Sequence, residues 1–255
     1  MFSLTVDGWQ YFDLNKKEWV NTCSKRFDDS LIKKSKSFTT FEKPVPGQFL
    51  PVFSGTKILC VGRNYRKHAA ELNNEVPKRP LWFAKPPSSI IGDSQSVIIP
   101  EDAGRIDYEG ELVLIISRKC SKVNKEQALD YVGAVSVAFD ITARELQKSD
   151  GQWTRAKGFD TFLPLAAIAA PFNSAWQSSE IEVELNGKTV QKSSLEAMIF
   201  KFEHLISDIS ACMTLEPGDL ILTGTPEGVG PIKPGDRLQA SISGPCKISL
   251  GVDVK

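Results

Sequence analysis

Two acidic residues spaced two apart open the functional reading of this chain. In Asp107-Tyr-Glu-Gly-Glu-Leu-Val-Leu-Ile-Ile116, Glu109 and Glu111 share one face of a strand with Val113 and Ile115. Gly110, Leu112, Leu114 and Ile116 take the other face. Both faces run apolar, as in a central strand covered on each side. Carboxylates at the end of such a strand repel each other and lose solvation, a cost that something must compensate. A hard divalent cation held through oxygens is one compensation. Val135-Ser-Val-Ala-Phe-Asp140, a second buried strand ending in an acid, offers a third oxygen ligand. With no convergent histidines, Glu109, Glu111 and Asp140 suit Mg²⁺ or Mn²⁺ rather than zinc. The alternative has Asp140 capping the helix predicted from the Thr-x-x-Glu capping box of Thr142-Ala-Arg-Glu145, with the glutamates paired to Arg or Lys.

Acid–base work needs a group that titrates near neutrality, and the chain has two histidines. His68 stands three residues before Glu71, so the two are neighbours on a helix. A carboxylate beside an imidazole raises its basicity and fixes its orientation, as a general base for water requires. The alternative is a surface helical pair. His204 belongs to the polar face of a later helix and reads as a solvated residue. Lys157, in Arg155-Ala-Lys-Gly-Phe-Asp160, falls in a loop rich in glycine and aromatics. Three carboxylates and a divalent ion leave one negative charge, which such a lysine neutralises; otherwise it is a solvated loop residue. Ile221-Leu-Thr-Gly-Thr-Pro-Glu-Gly-Val-Gly230 runs from a strand into a glycine-rich turn. Without a Gly-Lys-Ser/Thr ending it is no P-loop. Its backbone N–H groups and the Thr225 hydroxyl still suit a substrate carboxylate.

The elements that must carry these groups read mainly as β. Residues 57–61, 96–100, 112–117, 135–139, 180–185, 220–223 and 238–243 are strand-length and apolar or β-branched. Asn186-Gly187 and two Pro-Gly-Asp turns, at 217–219 and 234–236, punctuate them. Helices are predicted over 66–72, over 124–131 with Asn124 as N-cap, and over 195–213. In the last, Ile199, Phe202, Ile206, Ile209 and Met213 face inward and Lys201, His204 and Asp208 outward. Strands and long helices do not alternate, which argues against a doubly wound sheet or an eight-fold β/α barrel. The fold class is α+β, mainly β, with a few short helices. Residues 1–52 read as a small N-terminal module or cap, with two short strands around Asp7-Gly8, a polar stretch over 24–36 and Pro44-Val-Pro-Gly47. Residues 53–255 form the main domain.

Composition removes other classes. Lys+Arg and Asp+Glu cancel at 31 each in 255 residues, so no global field favours nucleic acid or an anionic membrane. The five cysteines lie far apart with no CxxC pair, which excludes a zinc ribbon and a thioredoxin motif. Cys60, Cys120 and Cys212 are expected to be buried. Neither a secretory signal nor a membrane-length apolar run is present, so a reduced, intracellular, soluble protein is expected.

Taken in order, Gly-Arg-Asn-Tyr (62–65), His68-x-x-Glu71, Phe83-Ala-Lys-Pro86, Asp107-Tyr-Glu-x-Glu-Leu112, Asp140-x-Thr-Ala-Arg144, Arg155-Ala-Lys-Gly-Phe-Asp160, Met198-Ile-Phe200 and Leu222-Thr-Gly-Thr-Pro226 resemble the fumarylacetoacetate hydrolase family. The resemblance covers nearly everything from about Lys57 onward. It implies a fumarylacetoacetase-type mixed β-roll, a homodimer, and a catalytic Mg²⁺ or Mn²⁺ on Glu109, Glu111 and Asp140. It also implies a lid dyad of His68 and Glu71, an active-site Lys157, and substrate contacts from Arg63, Tyr65, Arg144, Gln147 and Thr225. The short chain looks like the acylpyruvase and oxaloacetate-handling branch. A small 2-oxo acid is then the substrate, with hydrolysis of a C–C bond in acylpyruvates by a dyad-activated water as the first expectation. Oxaloacetate decarboxylation, or tautomerisation and isomerisation at the same site, is the alternative. The implied compartment is cytoplasm or mitochondrial matrix.

Overall fold

Gly110–Ile116 and Val132–Phe139 are buried along their whole lengths, and the molecule is built around this antiparallel pair. The computed structural model describes residues 2–5, 8–13, 18–21 and 51–255. Strands Glu18–Asn21, Gly8–Asp13, Phe2–Thr5, Ile168–Pro171, Val132–Phe139, Gly110–Ile116, Leu220–Leu222, Ile58–Gly62 and Leu81–Lys85 lie side by side in that order. Leu220–Leu222 and Ile58–Gly62 run parallel. Phe2 stands opposite Ala169, so the first strands extend the main sheet. The expected polar stretch at 24–36, Pro44-Val-Pro-Gly47 and Cys23 lie outside the described residues. A second sheet orders Lys188–Ser194, Glu180–Leu185, Arg237–Ser243, Lys247–Val254 and Ser96–Val97. Leu112, Leu114 and Ile116 pack toward it, in one cluster with Ile181, Val183, Leu238 and Leu250. Val113 and Ile115 take the opposite side, against Phe2, Ile58, Cys60 and Leu222. The alternation read from sequence is thus realised, and the architecture is mixed, mostly strand, with few short helices.

The site grows from a break in the central ribbon. In the long antiparallel ladder Ala138 faces Glu111 and Phe139 faces Gly110. The same ribbon resumes beyond the break, where Thr142 faces Asp107 in a separate three-stranded sheet with Gly230–Pro231. At the break, the Asp140 N–H donates to the Glu109 carbonyl at 2.8 Å. Register therefore sets Glu109 and Asp140 beside each other at a kink, with Glu111 one step along the same face. Gly110 has no room for a side chain there, because an added Cβ would lie 2.3 Å from Val183 Cγ2 of the second sheet.

Several elements differ from the sequence reading. The helix expected over 195–213 begins only at Phe202 and ends at Cys212. Asn64 captures the segment before it: its carbonyl accepts from Ile199 N at 2.8 Å and its Oδ1 from Phe200 N at 2.8 Å. Cys212, at that helix's end, is exposed, whereas Cys60 and Cys120 are buried. His204 is half-buried, with its ring edge-on to Phe200. The capping box does not form. Ala143 is the N-cap of Arg144–Ser149 and makes no side-chain cap bond. Thr142 Oγ1 donates to the Asp140 carbonyl, and Glu145 accepts from Arg105 N. Lys157 ends a one-turn helix, Thr154–Lys157, rather than lying in a loop. Asn124 does cap Lys125–Ala128, accepting from Gln127 N at 3.1 Å. Among the described residues no helix is long and apolar enough to cross a membrane.

Candidate metal centre and active site

Glu109, Glu111 and Asp140 are 5%, 1% and 1% exposed, and each offers an oxygen within 4.8 Å of the others. Two oxygens on one ion at about 2.0–2.6 Å stand at most roughly 4–5 Å apart, so one centre can hold all three. Their partners are cations. Lys157 Nζ lies 2.7 Å from Glu109 Oε2 and 2.6 Å from Asp140 Oδ2. Lys85 Nζ bonds Asp140 Oδ1 at 2.8 Å and the Ile141 carbonyl at 3.2 Å. Arg144 spans Glu109 Oε1 at 2.6 Å and Asp107 Oδ2 at 2.8 Å. Glu111 takes a backbone donor, Gly224 N, at 2.7 Å.

Charge counting decides what this arrangement lacks. Asp107, Glu109, Glu111 and Asp140 are buried, and the buried cations Lys85, Lys157 and Arg144, with the exposed Arg105 on Asp107, match them in number, yet among the described residues no cation pairs with Glu111. Glu111 carries the consequence: burial, then the charges of Asp140 and Glu109, push its carboxyl well above the usual range. Burial alone would also raise Glu109, but Lys157 and Arg144 outweigh it and hold that carboxyl far below its ordinary value. The same two-way balance leaves Lys157 raised: burial lowers it, and Asp140 and Glu109 more than restore it. An oxygen-only donor set with one uncompensated carboxylate fits a hard divalent ion.

Above the carboxylates lies a cavity of about 450 Å³, lined by Glu109, Glu111, His68, Lys157, Arg144 and Thr225 among others. Asp140 sits behind them on Lys85 and Lys157. His68, on the helix Arg66–Glu71, is 4% exposed, and its Nδ1 stands 3.4 Å from Glu71 Oε2. Burial chiefly, with the Arg144 charge, holds the imidazole below its usual 6.5 against the opposing pull of Glu109 and Glu71. Glu71 is held in turn by Gly228 N at 3.0 Å. Gln147 reaches the cavity and accepts from Arg144 at 2.9 Å. Arg63 also lines it, its guanidinium 5.9 Å from the centre of the Trp153 ring. Of the expected contacts, Tyr65 alone stands apart: its ring is 1% exposed and lies outside the cavity lining.

The model of the fumarylacetoacetate (FAA) hydrolase C-terminal family matches residues 57–252. The chain belongs to the fumarylacetoacetate hydrolase family. The mitochondrial oxaloacetate tautomerase FAHD1 of Arabidopsis thaliana is 46% identical over 205 residues, 78% of this chain and 92% of that one. A 5-carboxymethyl-2-hydroxymuconate delta-isomerase from Mycobacterium smegmatis is 37% identical, with TM-score 0.74 over 82% of this chain and 80% of that one. A fumarylpyruvate hydrolase from Pseudomonas aeruginosa, solved with Mn²⁺ and pyruvate, is 29% identical, with TM-score 0.74 over 86% of this chain and 99% of that one. This fumarylacetoacetate hydrolase family member is therefore an enzyme of a fold that serves both isomerases and hydrolases.

Lys85, Asp107 and Trp153 gain places that sequence reasoning did not assign them. Lys85 has one signal in the sequence, its place in the Phe83-Ala-Lys-Pro86 segment. Asp107 stands two residues before Glu109 in the sequence, but its role as the anchor of Arg105 and Arg144 depends on tertiary pairing.

Proposed function

We propose that this chain is a divalent-metal-dependent enzyme that enolises small 2-oxo acids, with keto–enol tautomerisation of oxaloacetate-type substrates as its reaction. The observation that carries the reading is the buried charge balance. A divalent ion supplies the partner that Glu111 lacks and makes the cluster net positive, complementary to an organic anion. Bound at Glu109, Glu111 and Asp140, Mg²⁺ or Mn²⁺ supplies Lewis-acid polarisation of a 2-oxo group, which lowers the cost of removing the adjacent proton.

The chain's own residues do the rest. Thr225, Arg144 and Gln147 hold the substrate's oxygens around the cavity. Arg63, which also lines the cavity, takes the second carboxylate of a dicarboxylic acid. Glu71 accepts from Nδ1–H of His68, leaving Nε2 to take the proton from carbon and return it. Lys157 keeps a fixed positive charge beside the reacting oxygens.

Three plant relatives at 43–46% identity are oxaloacetate tautomerases, which supports placing tautomerisation ahead of the hydrolysis that the sequence put first. The His68–Glu71 pair favours a second reading, attack of an activated water on a distal carbonyl of an acylpyruvate. A single panel tests both: enol- and keto-oxaloacetate, acetylpyruvate and fumarylpyruvate with Mg²⁺ or Mn²⁺, each product read separately. Accelerated loss of the enol absorbance without pyruvate or CO₂ release supports tautomerisation. Inactivity on oxaloacetate with rapid cleavage of acylpyruvates would overturn it in favour of the second reading.

A further inference from the structure

We infer that Gln191, on the outer hairpin of the second sheet, is a positioning residue that makes Thr225 a hydrogen-bond donor to the substrate's carboxylate. The inference rests on the proposed function, in which Thr225 touches that carboxylate. Gln191 is 1% exposed in a strand, Lys188–Ser194, whose neighbours are mostly solvated. It stands in register with Val183, the residue packed on Gly110. Its Oε1 accepts from Gly110 N at 3.0 Å, between Glu109 and Glu111. Its Nε2 donates to Thr225 Oγ1 at 2.8 Å and to the Pro226 carbonyl at 2.9 Å, with the Glu227 carbonyl at 3.5 Å. One amide thus spans the kinked strand that carries two of the carboxylates and the turn that carries Thr225.

The polarity of this clamp is fixed. A backbone N–H can only donate and a carbonyl can only accept, so Gly110 and Pro226 leave the amide a single orientation. Nε2 can only donate, so Thr225 Oγ1 must accept. A hydroxyl that accepts from Gln191 keeps its own proton for another partner. Among the described residues nothing accepts that proton, and Thr225, 3% exposed, lines the cavity. The hairpin supports the same turn a second time: Gly228, with φ +94°, lies so close to the Val190 carbonyl that an added Cβ would stand 2.1 Å from it. Gln191 therefore acts through Thr225 and touches no substrate itself.

The test uses Mn²⁺-loaded protein and oxalate, a planar dianion resembling the enolate of a 2-oxo acid, with affinity read by calorimetry. Q191E keeps the acceptor for Gly110 N–H, but its carboxylate takes the Thr225 proton instead of donating to the hydroxyl and adds a buried charge; Q191M loses both bonds and adds no charge. T225V removes the hydroxyl. We expect oxalate to bind T225V and Q191E about 10- to 100-fold more weakly, the range of one hydrogen bond to a charged group. Mn²⁺ affinity should not fall in Q191E, whose added charge favours the cation, and the Q191M/T225V double variant should bind oxalate no worse than T225V alone. Normal oxalate affinity in both Q191E and Q191M, with T225V impaired, would overturn the role of Gln191, as would additive losses in the double variant. Normal affinity in T225V would overturn the placement of the substrate carboxylate itself. A loss of Mn²⁺ affinity in Q191E equal to the loss for oxalate would reduce Gln191 to a support of the carboxylates and also refute the inference.

Discussion

Replacing Glu111 by Gln should move stability in opposite directions with and without metal. The amide is nearly isosteric and keeps an oxygen for Gly224 N, the 2.7 Å donor to Glu111. Without metal, the change removes the cost of burying a third carboxylate, or a proton taken up in its place, in a cluster whose oxygens lie within 4.8 Å. Unit charges at that spacing repel by about 3.5 kcal/mol at an effective dielectric near 20. Partial offset by Lys157 leaves an expected gain of about 1–3 kcal/mol. For a chain of this size that is a rise of several degrees in Tm, at about 2–4 °C per kcal/mol. With metal the sign reverses. Losing a direct ligand should cost at least the roughly 100-fold in affinity that outer partners of a ligand can cost. At a Mn²⁺ concentration 100 times the wild-type Kd, wild type gains about 2.7 kcal/mol and the variant about 0.4. Thermal unfolding in EDTA and in Mn²⁺ reads both effects. A metal-free variant many degrees less stable than wild type would refute the charge count, and an undiminished Mn²⁺ shift would refute the ligand role.

Three further outcomes are expected. His68→Ala should lower turnover about 10²- to 10⁴-fold, as loss of a general base does. Because burial holds His68 below 6.5, the neutral base persists through pH 6.5 and activity should fall only at lower pH; a pH profile with its acid limb above 6.5 would contradict this. Lys85→Met removes a buried partner of Asp140 and should destabilise the metal-free protein by about 3–5 kcal/mol, a loss that Mn²⁺ partly restores; chemical denaturation with and without the ion checks it. Gly228→Ala should impair both folding and activity, since the new Cβ would meet the Val190 carbonyl at 2.1 Å and the φ of +94° disfavours any side chain; an unchanged Tm would show that the turn can move.

The carboxylate trio was legible because its signal is local. Acids at the ends of strands that are apolar on both faces stand out, and His68 and Glu71 are three apart on one short helix. What joins them is non-local. The register that sets Asp140 beside Glu109 depends on how residues 132–139 pair with 110–116, and no pattern within either strand specifies it. Lys85 enters from the edge strand Leu81–Lys85. Gln191 sits in a run of polar residues where only the approach of a second sheet gives it a task. The late start of the last helix has a similar cause. Ile199 is in phase with Phe202 and Ile206, so periodicity extends the helix backward, but the hydrogen bonds that Ile199 N and Phe200 N donate to Asn64 keep them out of it. The capping box failed likewise, because Thr142 is claimed by pairing with Asp107.

The central claim is that Glu109, Glu111 and Asp140 together bind one divalent ion. Crystals grown with Mn²⁺ and measured at the manganese edge test it most directly. The account predicts one anomalous peak about 2.0–2.6 Å from an oxygen of each of the three carboxylates. A peak elsewhere, or none at a concentration of Mn²⁺ that supports turnover, would contradict it.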